Sequence, residues 1–362
     1  MRSILFFVAL LLSGALNAQS LEDLQKEVAS LKSMVADYQH AFDRLEKVAD
    51  DQLWYSRVGD VAFVDKVFIC GPAKANAPNP TAMGVGNPLK FWCYVFVPLS
   101  IDVEKQYPLI VLPHGGVHGN FGTYHSHIIR ELMAQGYVVV APEYRGSNGY
   151  GKSFYQSIDY GGLEVDDVTA SCDYMIENYP FVDSSRVGII GWSHGGLITL
   201  FSIFNHPEKY RVAYAGVPVS DLVARMGYYD EDYRGLFSAD YHIGKTAQEN
   251  IAEYRKRSPA WNTQRFKNTP LLIYSNTNDD DANVLEVEHL IKSLKADGKS
   301  FTSEIFQDIP GGHSFDRIDP RKNREIRLKV WQFLAGYLNP PDPIHNLKQM
   351  AKAAYFPVNQ KR

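Results

Sequence analysis

The chain has 362 residues, 45% of them hydrophobic and 22% charged, which is ample material for a large buried core. A formal net charge of −4 without any long basic run argues against nucleic acid and anionic membrane surfaces as partners.

The first residues read "MRSILFFVALLLSGALNAQS". Arg2, an apolar run from Ile4 to Leu12 and small residues up to Ala18 have the layout of a secretory signal peptide over 1–18, cleaved after Ala18. The apolar run is shorter than the roughly 20 residues of a spanning helix, so no membrane span is expected after cleavage. The expected destination is the periplasm or the cell exterior.

Residues 19–57 follow as an amphipathic helix. Leu21, Val28, Val35, Phe42 and Ala49 recur every seven residues, and Leu24, Leu31, Tyr38 and Leu45 fill the second apolar position of the heptad. Two alternatives stay open for this stripe. It pairs with a second copy as a short coiled coil, making a homo-oligomer through residues 21–49, or it lies against its own domain.

Two segments rich in β-branched and aromatic residues, 58–70 and 89–98, read as strands around a Gly/Pro/Ala/Asn loop. Cys70 and Cys93 stand in these strands and are candidates to pair in an exported protein; three reduced thiols, with Cys172 in a helix, is the other reading. From residue 107 apolar runs alternate with helical segments: "PLIVLPHGG", "YVVVAPEYRG", "RVGIIGW", "VAYAGVPVSD", "TPLLIYSN" and "SEIFQDIPGG". Continuous apolar strands separated by helices predict an α/β domain over 58–340, its mainly parallel sheet covered on both faces. The tail, 341–362, holds one short basic helix, "HNLKQMAKAAY", expected to be peripheral.

Candidate chemistry centres on "VGIIGWSHGGLITL". Ser193 falls between a strand and a helix, where Gly191 and Gly195 let the turn close and a helix N-terminus favours developing negative charge. A serine hydroxyl needs a base to take its proton, and on this fold the acid and then the histidine come later in the chain. The acid-rich "TNDDDANV" follows one later strand, and "GGHSF", with His313, follows the next. Gly115 and Gly116 in "PHGGVHGNFG" allow close backbone approach to an oxyanion, and the amide of His194 supplies a second donor. The same stretch adds His118, His125 and His127, but no carboxylate or thiolate at matching spacing makes them a metal site. No metal and no cofactor is expected. "GYYDEDYRG", 227–235, reads as a lid or an exposed connection, and the acids of "EVDDV", 164–168, as helix-start residues without a catalytic role.

Taken together, "PHGGV", "EYRGSNGYG", "GGLEVDDV", "FVDSSRVGIIGWSHGG", "SPAW", "TPLLIYSNTNDD" and "GGHSF" resemble the catalytic domain of the prolyl oligopeptidase family of serine peptidases, over residues 100–335. The resemblance implies an α/β-hydrolase fold, Ser193 as nucleophile, His313 as base and the amide of Gly116 in the oxyanion hole with that of His194. It places Arg145 and Tyr150 on a loop bordering the site; with His114 and Trp192 they are the candidate substrate-binding residues. The acid falls on Asp279 counting from Pro270, and on Asp281 counting back from Val284; Asp279 is taken because the strand end fixes where the carboxylate emerges, and Asp280 is read as solvated. The residues upstream, read as one helix and two strands, leave no room for the propeller of large family members. A peptide substrate is expected, with an ester or a non-catalytic scaffold role as alternatives. His194 stands where many relatives carry Tyr.

Overall fold

The computed structural model describes residues 21–74 and 79–355, so the signal-peptide segment lies outside the described residues. Helix α1, Leu21–Val58, is unbroken by Gly or Pro and has acids in its first turn and Arg57 in its last, matching the helix dipole at both ends. A hairpin follows, β1 Ala62–Ala73 and β2 Pro88–Pro98, in which Cys93 faces Val67 and Cys70 faces Lys90. The odd spacing from 67 to 70 puts Cys70 on the opposite face of the sheet from Cys93. All three cysteines are free, Cys70 exposed and the other two buried.

The remaining elements are β3 Tyr107–Val111, α2 Ser126–Ala134, β4 Val138–Pro142, α3 Lys152–Tyr155, α4 Leu163–Asn178, β5 Val182–Trp192, α5 His194–Asn205, β6 Val212–Gly216, α6 Leu222–Tyr228, α7 Glu231–Ser238, α8 Ile251–Lys256, β7 Leu271–Asn276, α9 Val284–Ala296, β8 Thr302–Phe306, α10 Arg321–Leu338 and α11 Leu347–Ala354. The eight strands make one sheet in the order β1-β2-β4-β3-β5-β6-β7-β8. β1, β2 and β4 pair antiparallel, and every pair from β4–β3 to β7–β8 is parallel. Strands such as "VVVAP" and "VAYAG" are buried along their whole length because helices cover both faces.

One core layer packs Val165, Val168 and Cys172 of α4 with Leu197, Ile198 and Phe201 of α5 under the sheet. The other packs Ile128 and Leu132 of α2 against Trp331, Leu334 and Leu338 of α10. The second half of α1 joins this layer: Trp54 is 1% exposed and stacks on Phe121 at 5.5 Å. Truncating such a side chain typically costs about 3–5 kcal/mol. Arg130 of α2 clamps the helix end through Asp60 at 2.5 Å and the Arg57 carbonyl at 3.0 Å. The C-terminal helix α11 is seated rather than peripheral, with Met350 fully buried. The eight-stranded sheet, parallel from β4 onward and flanked by helices, is an α/β-hydrolase fold that directs its strand ends toward one rim.

Candidate active site

β5 ends at Trp192 and α5 begins at His194, so Ser193 alone makes the turn, with φ 58 and ψ −123. That left-handed conformation is strained for a side-chain-bearing residue and is held from several sides. The Ser193 amide donates to the Gly216 carbonyl at 3.1 Å, and its own carbonyl accepts from Leu197 and Val219, both at 3.1 Å. The flanking glycines are steric requirements: a Cβ on Gly191 would lie 2.2 Å from the Gly195 carbonyl oxygen, and one on Gly195 would lie 2.4 Å from that of Pro113.

The acid-rich loop after β7 brings Asp279 under His313. The imidazole Nδ1 donates to both carboxylate oxygens, at 2.8 and 2.9 Å, so the acceptor fixes the tautomer and leaves Nε2 free to accept a proton. Asp279 is itself fixed, one oxygen accepting from the amides of Asp281 and Ala282 at 2.9 Å each. Asp281 turns away: it pairs with Arg225 Nη2 at 2.6 Å and accepts from the Tyr229 hydroxyl at 2.9 Å. Burial pushes the Asp281 carboxyl up, but the charges of His313 and Arg225 and its hydrogen bonds outweigh this and hold it below the usual range. Asp280 is exposed.

Gly116 has φ +83, and the backbone of Gly115 passes so close to the turn that a Cβ there would lie 3.3 Å from Ser193 Cβ. The glycine loop is therefore pressed against the candidate nucleophile. His194 ties it down: its Nδ1 donates to the Gly116 carbonyl at 2.9 Å, while Nε2 meets Glu164 Oε1 at 3.2 Å. The ring is stacked on Tyr160 at 3.9 Å and is 1% exposed.

None of the four candidate substrate-binding side chains is among the residues that line the small pocket beside Ser193. Arg145 is wholly buried and bidentate to Asp167, at 2.7 and 2.8 Å, with a further bond to the Pro72 carbonyl. His114 bonds Ser147 at 2.8 Å, stacks on Tyr144 and is pushed by burial down to about 3. The Trp192 indole donates to the buried Asp316 at 2.6 Å, and the Tyr150 ring lies under the Lys66 ammonium at 5.1 Å and edge-on to Phe154 at 5.6 Å. Their types suited a polar site, but the polar groups of Arg145, His114 and Trp192 are consumed in bracing the loops behind it. The walls of the small pocket beside Ser193, about 70 Å³, are instead Val117, Tyr160, Val219, Arg225, Tyr233 and Asp281. Tyr233 belongs to "GYYDEDYRG", which folds as the end of α6 and the start of α7.

Buried partners of the site were the residues hardest to find in the sequence. Glu164 and Asp167, read as helix-start acids, hold His194 and Arg145 respectively. Their spacing of three within "GGLEVDDV" puts both on one side of α4, next to the buried Val165 and Val168, and that is the only local signal they carried. The three extra histidines separate: His118 Nδ1 donates to the Gly146 carbonyl at 2.8 Å, His125 stacks on Phe121 at 5.1 Å, and His127 Nε2 donates to the Arg317 carbonyl at 2.8 Å.

A serine on a strained strand–helix turn, with acid and histidine on the loops after β7 and β8, marks the α/β-hydrolase class. Residues 124–341 match the model of the prolyl oligopeptidase family, and the chain belongs to that family. The "Uncharacterized peptidase YuxL" of Bacillus subtilis is 32% identical over 233 residues, covering 64% of this chain and 34% of its own. Human dipeptidyl peptidase 8 is 29% identical, covering 59% of this chain and 24% of its own. The chain thus spans about a quarter to a third of these relatives. The acylaminoacyl peptidase of Pyrococcus horikoshii superposes with a TM-score of 0.62 at 20% identity, over 81% of this chain and 44% of that one, a likeness of fold.

Proposed function

We propose that the protein is an exported serine peptidase working through an acyl-enzyme. Ser193 Oγ attacks the scissile carbonyl as its proton passes to His313 Nε2; Asp279 holds the imidazole and stabilises its charged form. The amides of Gly116 and His194 receive the oxyanion. The C–N bond then breaks, the amine leaves with the proton from His313, and water activated by the same imidazole releases the acid and restores Ser193.

One observation carries this reading: His313 is held through Nδ1 by a buried carboxylate whose other partners are backbone amides, an arrangement that leaves Nε2 as the base. Membership of the prolyl oligopeptidase family supports a peptide substrate. A fluorophosphonate probe is expected to label the protein and not the Ser193→Ala variant. Peptide p-nitroanilides are expected to be turned over; hydrolysis of p-nitrophenyl esters alone would replace the peptidase by an esterase, and no labelling of folded protein would leave a scaffold. Export rests on the sequence of residues 1–18, and N-terminal sequencing of the mature protein is expected to begin at Gln19.

A further inference from the structure

Helix α1 docks on its own domain through one side and turns its heptad stripe of apolar residues to solvent. In the heptad that puts Leu21, Val28 and Val35 at a, the f positions are His40, Lys47 and Trp54. All three touch the body of the protein. His40 packs edge-on against Tyr155 at 5.0 Å, Lys47 is buried with its ammonium 3.1 Å from Glu143, and Trp54 lies in the core. The neighbouring b and c positions do the same work: Asp37 meets Lys152 at 3.1 Å, Asp50 accepts from the Thr123 amide at 3.0 Å, and Val58 is fully buried.

The a and d positions lie on the opposite side. From Leu21 to Leu45 they are 44–73% exposed, a continuous stripe of large apolar side chains. A surface helix that served only its own domain would bury this stripe. Here the docking face and the apolar face are separate, so the second of the two sequence alternatives, that the stripe lies on its own domain, does not describe the fold.

We propose that this stripe is the seam of a parallel, two-stranded coiled coil with a second copy of the chain. Three features select that occupant. First, the period is the strict seven of a coiled-coil seam, and the seam ends where Gln52 and Ser56 take the next d and a positions. Second, the residue types suit two parallel strands: Val28 and Val35 at a, with Leu24, Leu31 and Leu45 at d. Third, the flanking charges are self-complementary. In a parallel pair g of one helix faces e of the next heptad on the other, which sets Glu27 opposite Lys32, twice by symmetry. The two catalytic domains then hang on the outer sides of the pair, each held by its own f face.

The test uses the full chain. Light scattering of the mature protein is expected to give twice its single-chain mass, which is 40.9 kDa for all 362 residues and lower by residues 1–18 once they are removed. The double variant Val28→Glu/Leu31→Glu is expected to halve that mass while circular dichroism and probe labelling at the active serine stay unchanged. In a Cys70→Ser background, Leu31→Cys is expected to oxidise to a cross-linked dimer, because d meets d only in parallel register. A single-chain mass for the wild type would overturn the proposal, as would a dimer indifferent to the two glutamates. Persistent dimerisation without cross-linking would overturn the parallel pairing. A monomer that co-floats with phosphatidylcholine or mixed anionic vesicles, and loses this in the double variant, would assign the stripe to a lipid surface and overturn the dimer.

Discussion

His194 Nδ1 donates to the carbonyl oxygen of Gly116 across 2.9 Å, joining the first residue of the helix after the nucleophile to the glycine loop that faces it. The peptide units of these two residues carry the proposed oxyanion donors, so one side chain fixes their separation. Glu164 anchors the far side of the ring at 3.2 Å.

Removing the bond should loosen the hole without touching the triad. Loss of a whole oxyanion donor costs about 10²–10³ in kcat, and a displaced donor less. His194→Ala is therefore expected to lower kcat by about 10–100-fold with KM little changed. In His194→Asn the shorter amide still presents an N–H near the position of Nδ1, and much of the rate should return. Equal losses in the two variants, read by steady-state kinetics on a peptide p-nitroanilide, would show that the ring acts only by filling space.

The two candidate acids are separated by their partners. Asp279 touches His313, while Asp281 is bound to Arg225 and Tyr229. Asp279→Asn should leave the protein folded and reduce kcat by about 10⁴-fold, since an amide in that place favours the wrong imidazole tautomer. Asp281→Asn should cost less than tenfold. The opposite ranking of the two variants would move the orienting role to Asp281.

The parallel strands and the sequential order Ser193, Asp279, His313 were legible because they depend on local signals: apolar runs, glycines with a steric duty, and loops that follow strand ends. That Asp279 rather than Asp281 meets His313 was legible for the same reason, as the end of β7 at Asn276 fixes the first carboxylate to emerge beneath the imidazole. What Arg145, His114 and Trp192 do was not. Their partners Asp167, Ser147 and Asp316 lie 22, 33 and 124 residues away in the chain, and long-range pairing leaves no periodic trace. The direction of the α1 stripe was equally hidden, since a heptad reads the same whether its apolar side meets its own domain or another molecule.

Arg145 offers a clean contrast between bracing and binding. Its guanidinium and the Asp167 carboxylate are both fully buried, and burial pushes the Asp167 carboxyl up even as Arg145 pulls it back. Removing one partner of such a pair typically costs about 3–5 kcal/mol, because the other charge stays buried. Arg145→Met is expected to lower the unfolding free energy read from urea titration by that amount, and Arg145→Met/Asp167→Leu to recover most of it. KM for peptide substrates should move little in either variant. A large rise in KM with unchanged stability would restore Arg145 as a substrate contact.

Acid should destabilise the protein through its buried histidines. Burial holds His125 well below the ordinary value near 6.5, with the charges of Arg317, His127 and His114 adding to it; His114 itself is held down to about 3 and His118 to about 4. The folded state keeps these rings neutral at pH 5, whereas the unfolded chain protonates them below about 6.5. The unfolded state therefore binds more protons, and stability is flat above pH 6.5 and falls as the pH drops below it, by up to about 1.4 kcal/mol per pH unit for each ring. His125 stacks nearly parallel on Phe121 and its Nδ1 has no hydrogen-bond partner, so His125→Phe removes one titrating group and one orphaned polar atom together. Urea unfolding at pH 7.5, 6.5, 5.5 and 4.5 should show the variant losing stability less steeply than the wild type, by about one proton's worth, with the curves diverging only below pH 6.5. Parallel curves across the whole range would mean that His125 takes up its proton in the folded state as readily as in the unfolded chain.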